Sequence, residues 1–335
     1  MKRWSTISLT VLMMVTLILS GCGSKSEKEV VEDLGQKIEK LNSYRTDAVM
    51  MFEHSGKKQT YRVNIVFKKP YYYRVSLTDG KKKNKQMILR NSGGVFVLTP
   101  ELNKSYRFES TWPNNRSQAY LYHSLNQDIQ NDPNPGFKAK DNQYIFDTKT
   151  SYNTTQLANQ SITLKKDLTP KQVQVRDKDR NVIVTVKFEH FEVNPTVDAK
   201  TFDVKKNMTA AGTRASKTVT TESTTFAVHY PTAKIAGTRL TKMKPEVSRD
   251  GEKYVLKYSG KKPFTLIESK SSVSLADDPV FASGDPANLG FAVGAAGSRT
   301  LQWSAGGTDY LLASEKLSRE ELTVIAQSVG GTVTK

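Results

Sequence analysis

Thr60-Tyr61-Arg62-Val63-Asn64-Ile65-Val66-Phe67-Lys68-Lys69-Pro70-Tyr71-Tyr72-Tyr73-Arg74-Val75-Ser76-Leu77-Thr78 alternates apolar and polar side chains on both sides of one proline. Successive side chains of a strand point to opposite faces, so a period of two sorts this stretch into faces. Tyr61, Val63, Ile65, Phe67, Tyr71, Tyr73, Val75 and Leu77 fall on one, and Arg62, Asn64, Lys68, Arg74, Ser76 and Thr78 on the other. Such a pattern belongs to an antiparallel sheet with one face against a core and one in water. Asp79-Gly80 and Ser92-Gly93-Gly94 supply turns between successive strands. Short runs continue at Val95–Leu98, Ser105–Phe108, Tyr144–Phe146, Ile162–Leu164, Val173–Val175 and Val182–Phe188. The reading is a long antiparallel meander.

Two helices frame and interrupt it. Val30, Val31, Leu34, Ile38 and Leu41 recur at helical spacing and predict an amphipathic helix from about Glu27 to Leu41. Leu121, Tyr122, Leu125 and Ile129 do the same within Ser117–Asn131, before the breaker Asp132-Pro133-Asn134-Pro135-Gly136. A helix inserted between strands of a curved sheet is placed to cover its open side. Residues 206–223 show no apolar period, are rich in Thr, Ser, Ala and Lys, and read as a linker. Beyond it, Tyr254–Tyr258, Phe264–Ile267 and Tyr310–Leu312 read as strands. Ser318-Arg319-Glu320-Glu321 is a capping box opening a helix with Leu322, Ile325, Ala326 and Val329 on one face.

The chain start carries a different signal. Lys2 and Arg3 precede an uncharged run of 13 residues, Ile7–Leu19. A spanning helix needs ~20 apolar residues, so the run fits the h-region of an export signal. Leu19-Ser20-Gly21-Cys22 follows and resembles the lipobox of bacterial lipoprotein precursors. The resemblance implies cleavage after Gly21 and diacylglyceryl modification of Cys22. Two acyl chains suffice for stable anchoring at the cell membrane, on its extracytoplasmic side. The expected organisation is a lipoprotein signal peptide over 1–21, a lipidated tether over 22–26, a sheet domain over 27–205, a linker over 206–223 and a small α+β domain over 224–335.

Composition narrows the chemistry. The 335 residues carry a formal charge of +17 and one cysteine. A single cysteine excludes an intramolecular disulfide framework, a thiolate zinc cluster and a CxxC redox pair. An exported chain does not meet the chromosome, so the basic charge points away from nucleic acid. His54, His123, His190 and His229 show no HExxH or HxH spacing, and no GxSxG or SxxK stands in the chain. Asp277-Asp278 and Asp285 lack the EF-hand spacing and read as turn residues. No catalytic residue, metal site or cofactor is expected.

Three ordered segments carry a family resemblance: Phe67–Arg74 around Pro70, Gly93–Lys104 with its strand and Thr-Pro-Glu-Leu turn, and Asn194–Val204 with its Asn-Pro, Asp and Phe. Together with the two helices they resemble the LolA/LolB/RseB superfamily. That resemblance implies an unclosed antiparallel β-barrel covered by helices, and a closing strand at Asn194–Val204. Leu301-Gln302-Trp303, Gly306–Leu312 and Leu317–Leu322 resemble a small domain that ends Firmicute envelope and sporulation proteins. The combination is similar to bacillar sporulation-associated and clostridial germination lipoproteins. The expected fold class is therefore mainly β with helices (α+β).

Two surfaces are candidate sites. Between Lys57 and Arg90 stand eleven lysines or arginines against one acid, Asp79. Lys68 and Arg74 fall on the polar strand face, and Lys81, Lys82, Lys83 and Lys85 at a hairpin tip. A solvated face, or contact with anionic lipid, a wall polymer or an acidic partner, all fit. The apolar face of Tyr61, Val63, Ile65, Phe67, Tyr71, Tyr73 and Val75 is either a filled core or a pocket for an acyl chain. The reading put first is a non-enzymatic, lipid-anchored binding scaffold with a protein partner at the envelope. The resemblance implies sporulation or germination, with a cortex-modifying amidase as partner. An acyl-chain or lipoprotein carrier and an RseB-like envelope sensor stand beside it.

Overall fold

The computed structural model describes residues 25–54, 57–79, 85–114, 117–152, 157–215, 227–233, 235, 237–248, 251–272, 278–282, 284–289 and 292–329. The expected signal segment, Cys22 and Lys81–Lys83 lie outside these residues. Helix α1 (Glu27–Glu39) opens on a capping box, in which Ser26 Oγ accepts the Glu29 N–H and Glu29 Oε2 accepts the Ser26 N–H. Eleven strands follow: β1 (Ser43–His54), β2 (Lys57–Lys68), β3 (Tyr72–Asp79), β4 (Lys85–Asn91), β5 (Gly94–Thr99), β6 (Lys104–Phe108), β7 (Gly136–Lys140), β8 (Gln143–Lys149), β9 (Asn159–Lys165), β10 (Pro170–Arg176) and β11 (Val182–Val193). Helix α2 (Tyr122–Asn131) stands between β6 and β7. All eleven strands join one sheet in the order β6-β5-β4-β3-β2-β1-β11-β10-β9-β8-β7. Its two ends do not pair with one another, so the sheet stays unclosed.

β1 holds the centre, paired along its length with β2 on one side and β11 on the other. It is barely legible in the sequence, because Thr46, Asp47 and Ala48 dilute its apolar alternation. The buried face of the sheet is the one that the period of two predicts. Tyr61, Val63, Ile65, Phe67, Tyr73, Val75 and Leu77 are all buried in one cluster with Val30 and Leu34 of α1 and Tyr122, Leu125 and Ile129 of α2. Tyr71 departs from the pattern. It precedes β3, is 38% exposed and stacks on Tyr72 at 5.1 Å, because the turn at Pro70 ends the alternation. The helices cross the sheet's inner side together, with Gln130 Nε2 of α2 donating to the Val31 carbonyl of α1 at 3.0 Å.

The outer side of the sheet is not uniformly wet. Met87-Ile88-Leu89 and Val95-Phe96-Val97-Leu98 are continuous apolar runs, the pattern of strands buried on both faces. Met87, Leu89, Phe96 and Leu98 point outward and are covered by Val204 and Met208 of helix α3 (Val204–Ala215). Residues 206–215 are thus helical where composition predicts an open linker. Val204 and Met208 lie one helical turn apart and find an apolar surface that no composition reveals. Asn194–Val204 is also not a strand. Asp198 Oδ1 accepts the Lys200 N–H and opens a 3-10 turn, Ala199–Phe202, that buries Phe202 beside Val66, Val197 and Tyr72.

A second sheet follows, from β12 (Thr238–Ser248), β13 (Gly251–Gly260), β14 (Phe264–Lys270), β16 (Asp285–Asn288), β17 (Val293–Ala296), β18 (Thr300–Ala305) and β19 (Thr308–Ala313), in the order β12-β13-β14-β19-β18-β17-β16. Helix α4 (Arg319–Val329) covers one face with Leu322, Ile325, Ala326 and Val329. Its predicted cap is present: Ser318 Oγ accepts the Glu321 N–H, and Glu321 Oε2 accepts the Ser318 N–H. The two-residue strand β15 (Val280–Phe281) leaves this second unit and pairs parallel with β6 of the first sheet.

One partly buried group gives the core a pH signature. His123 of α2 sits among Tyr44, Phe67 and Tyr73, with ring centroids 4.3 Å from Phe67 and 5.9 Å from Tyr44. Its Nδ1 has no hydrogen-bond partner. Burial first, and the Lys69 charge second, push its pKa down to about 4. An unfolded histidine titrates near ~6.5, so below that pH the unfolded chain takes a proton that the fold refuses. Stability falls as pH drops from about 6.5 towards about 4, by up to ~3 kcal/mol from this group. Replacing His123→Phe is expected to flatten that part of the stability–pH curve in urea titrations; an unaltered slope contradicts the assignment.

Candidate functional site

The second sheet packs on the inner face of β4, β5 and β6. Alternation in β4–β6 turns Gln86, Ile88, Val97, Thr99, Tyr106 and Phe108 to that face. Opposite them stand Ile267, Ser269, Val293, Gln302, Ser304 and Leu311. Polar ties close the junction: Val293 N–H donates to Gln86 Oε1 at 2.8 Å, and Ser110 Oγ to Asp285 Oδ1 at 2.6 Å. Asp285 Oδ2 also receives Arg319 from α4 at 2.9 Å.

An ion pair, Lys104 to Asp309, also joins the two sheets. Lys104 Nζ donates to Asp309 Oδ2 at 2.5 Å, and Asp309 Oδ1 accepts Ser271 Oγ at 2.7 Å and Ser304 Oγ at 2.5 Å. Both side chains are largely shielded, at 14% and 28% exposure. The ammonium and the two hydroxyls together occupy both oxygens of this carboxylate.

Among the described residues, both sheets line an inner cavity of about 250 Å³ and an outer one of about 410 Å³. The outer cavity lies within the usual size range of small-molecule sites. Asp79 at the end of β3 and Glu101 in the 3-10 turn Pro100–Leu102 bring two acids to its wall. Glu101 Oε2 is buried without a hydrogen-bond partner. Burial raises the Glu101 carboxyl above its ordinary range and Asp79 adds to this, against the opposing Lys85 charge and backbone amides. His229 and Tyr310 form the opposite wall, with Tyr310 Oη 3.0 Å from His229 Nδ1. Behind them Glu268 is fully buried, its Oε2 accepting the His229 N–H at 2.9 Å while Oε1 has no partner. Burial and then Glu268 push the Tyr310 hydroxyl well above its usual value.

The residues singled out by sequence fall elsewhere. The apolar face is packed, and Tyr61 and Leu77 at its end line the outer cavity. Arg74 is not displayed to solvent. Its Nε donates to Asn207 Oδ1 of α3 at 2.8 Å and its NH1 to Asn64 Oδ1 at 3.1 Å, and burial lowers its pKa. Lys68 Nζ donates to the Val197 carbonyl at 3.0 Å. Both bases hold down the segment that crosses the outer face, and of the predicted tip only Lys85, at the start of β4, is described. Among the described residues no group of His, Cys, Asp and Glu is placed to hold a metal, and no helix is long and apolar enough to cross a membrane. Glu268 was legible in principle. It shares the inward phase of β14 with Phe264 and Leu266, where a charge is out of place.

The family model described as sporulation protein YdcC-like matches residues 2–202. Sporulation protein YdcC of Bacillus subtilis (strain 168) is 44% identical over 335 residues, covering 99% of each chain. Among solved structures, MucB aligns over 92% of this chain and 97% of its own at 12% identity, with a TM-score of 0.34. A complex of the CwlD amidase from Clostridioides difficile with the GerS lipoprotein aligns over 51% of this chain and 97% of its own at 17% identity, with a TM-score of 0.23.

The Lys104–Asp309 tie predicts how the two sheets are coupled. Exposed ion pairs contribute about 0–1 kcal/mol, and breaking a buried one costs about 3–5 kcal/mol. Lys104→Met is therefore expected to lose about 2 kcal/mol in chemical denaturation, between these limits. The double change with Asp309→Asn is expected to lose less than the two single changes added together. Strict additivity would mean that the pair does not couple the sheets.

Proposed function

This chain belongs to the YdcC-like sporulation protein family, and on that premise we propose that it is a lipid-anchored, non-enzymatic binding scaffold of the sporulating envelope. In this reading Cys22 carries the diacylglyceryl group on the outer face of the cytoplasmic membrane. The first sheet with α1 and α2 is a LolA-like half-barrel, and the second unit extends its binding surface. The partner is a protein. A cortex-modifying amidase is the class implied by the likeness to clostridial germination lipoproteins.

One observation carries the choice of scaffold over carrier. The inner face that a carrier would keep open for acyl chains is filled by the protein's own rings and aliphatic side chains, from Val30 and Leu34 on α1 to Tyr122 and Leu125 on α2. A filled interior leaves recognition to outer surfaces and to the junction between the sheets.

Cross-linked capture from sporulating cells tests this, with Cys22→Ala as the comparison. The native chain is expected in the membrane fraction with a protein that rebinds when both are purified, and Cys22→Ala in the soluble fraction. Recovery of stoichiometric lipid and no rebinding protein would replace the scaffold with a carrier. Retention of Cys22→Ala in membranes would remove the anchor.

A further inference from the structure

The described chain begins at Lys25, and in the anchor reading the acylated Cys22 stands only three residues before it. Three residues reach at most about 10 Å, so the anchor holds the point where the chain leaves the fold close to the bilayer. That point belongs to one end of the first sheet. Asp33, bonded to Lys25, raises the Lys25 pKa first, and Tyr144 at the start of β8 adds to the rise, which sets Lys25 beside that strand. Lys166 in the β9–β10 turn lies over the same Tyr144 ring, 5.4 Å from its centroid. Gln143 pairs with both Lys140 and Lys165, so the β7–β8 and β9–β10 turns share this end. Antiparallel pairing through β11 and β1 carries the same rim to the β2–β3 turn, where Lys69 Nζ donates to the Glu39 carbonyl of α1.

The rim displays what a lipid surface attracts. Lys69, Lys140, Lys165, Lys166 and Lys171 are exposed on these turns and strand ends, against Asp141 and Asp167. Asp167 is occupied locally, since its Oδ1 accepts both the N–H and the hydroxyl of Thr169. From Lys25 to Lys40 the chain holds four bases and five acids, so the turn lysines set the sign of the rim. Tyr71, the exposed exception to the buried apolar face, stands on the same rim at 38% exposure. Lysines near a membrane are drawn to anionic headgroups within a Debye length, and tyrosine favours the boundary between apolar and wet.

We propose that this rim lies on the anionic lipid surface to which Cys22 is anchored, with the turn lysines at the headgroups and Tyr71 at the interface. The contact rests on the anchor reading and gives it an orientation. β3 ends and β4 begins at the opposite end of the sheet, so the lysine-rich stretch between Asp79 and Lys85 takes no part in it. The stretch singled out by its charge in the sequence is thereby turned away from the bilayer, and the chain exit rather than the charge count chooses the face.

Intact-mass measurement of the chain purified from membranes tests the anchor by itself, and a Cys22 without a diacylglyceryl group overturns that reading alone. The lipid contact is read on the full Cys22→Ala chain, titrated with vesicles of phosphatidylglycerol and of phosphatidylcholine. Tighter binding to phosphatidylglycerol is expected. Lys165→Gln, Lys166→Gln and Lys171→Gln together are expected to weaken it at least about tenfold, since each base near the surface is worth roughly fivefold. Lys81→Gln, Lys82→Gln and Lys83→Gln together are expected to leave it unchanged, and residues 1–21 are common to all these chains. Orientation is read by a fluorophore on a single introduced cysteine in the vesicle-bound Cys22→Ala chain. At Lys40→Cys, beside Lys69, it is expected to be quenched by a nitroxide on the lipid headgroup. At Lys178→Cys, in the β10–β11 turn at the opposite end, it is expected to stay bright. Thermal melts establish that the variants fold. No preference for phosphatidylglycerol, equal quenching at both positions, or a loss of binding in the Lys81–Lys83 set and not in the Lys165 set would overturn the proposal.

Discussion

An open sheet of this length has one large apolar face, and everything else in the molecule follows from how that face is covered. Tyr44, Phe67, Tyr73 and His123 meet at its middle with ring centroids 4.3 to 6.1 Å apart. α1 and α2 pack on the part around β1–β3 and β8, where Val30, Leu34, Tyr122 and Leu125 join the core. The second sheet faces β4–β6. The junction cavities exist because the second cover is a sheet with polar residues such as Gln302, Ser304 and Asp309 on the approaching face. A helix with leucines there would have sealed it.

The charge of the Lys57–Arg90 stretch takes on a structural role in the same light. Arg74 and Lys68 bond to the segment that crosses the outer face, and Lys69 Nζ donates to the Glu39 carbonyl at the end of α1 at 3.0 Å. Arg90 donates to the Thr111 carbonyl at 3.1 Å and sits 5.5 Å from the Tyr71 ring. Carbonyls that close helices and turns leave acceptors unpaired, and long basic side chains reach them from neighbouring strands. A run of bases in a sheet can thus be the fastening of its edges and crossings.

Much of the first sheet was legible because its inner face obeys a period of two, from Tyr61 to Leu77. Both covering helices and the cap at Ser318 were legible for the same reason, since periodicity and caps are local. What escaped was relational. α3 reads as polar linker until Met87, Leu89, Phe96 and Leu98 are known to present an outer apolar patch. Asn194–Val204, a strand by family resemblance, is instead closed into a turn by Asp198. The candidate site depends on Glu101, Asp309 and His229, which lie 80 or more residues apart in the chain and meet only when the second sheet docks. Only Glu268, a charge in the inward phase of a strand, left a mark in the sequence.

The central claim is that the inner face of the first sheet is filled by the protein's own side chains, so that it holds no acyl chain. A titration of the purified chain with a fluorescent fatty acid tests this most directly. The account predicts no saturable binding at micromolar concentrations. A saturable signal, displaced by unlabelled fatty acid and abolished by Val75→Trp at the buried face, would contradict it.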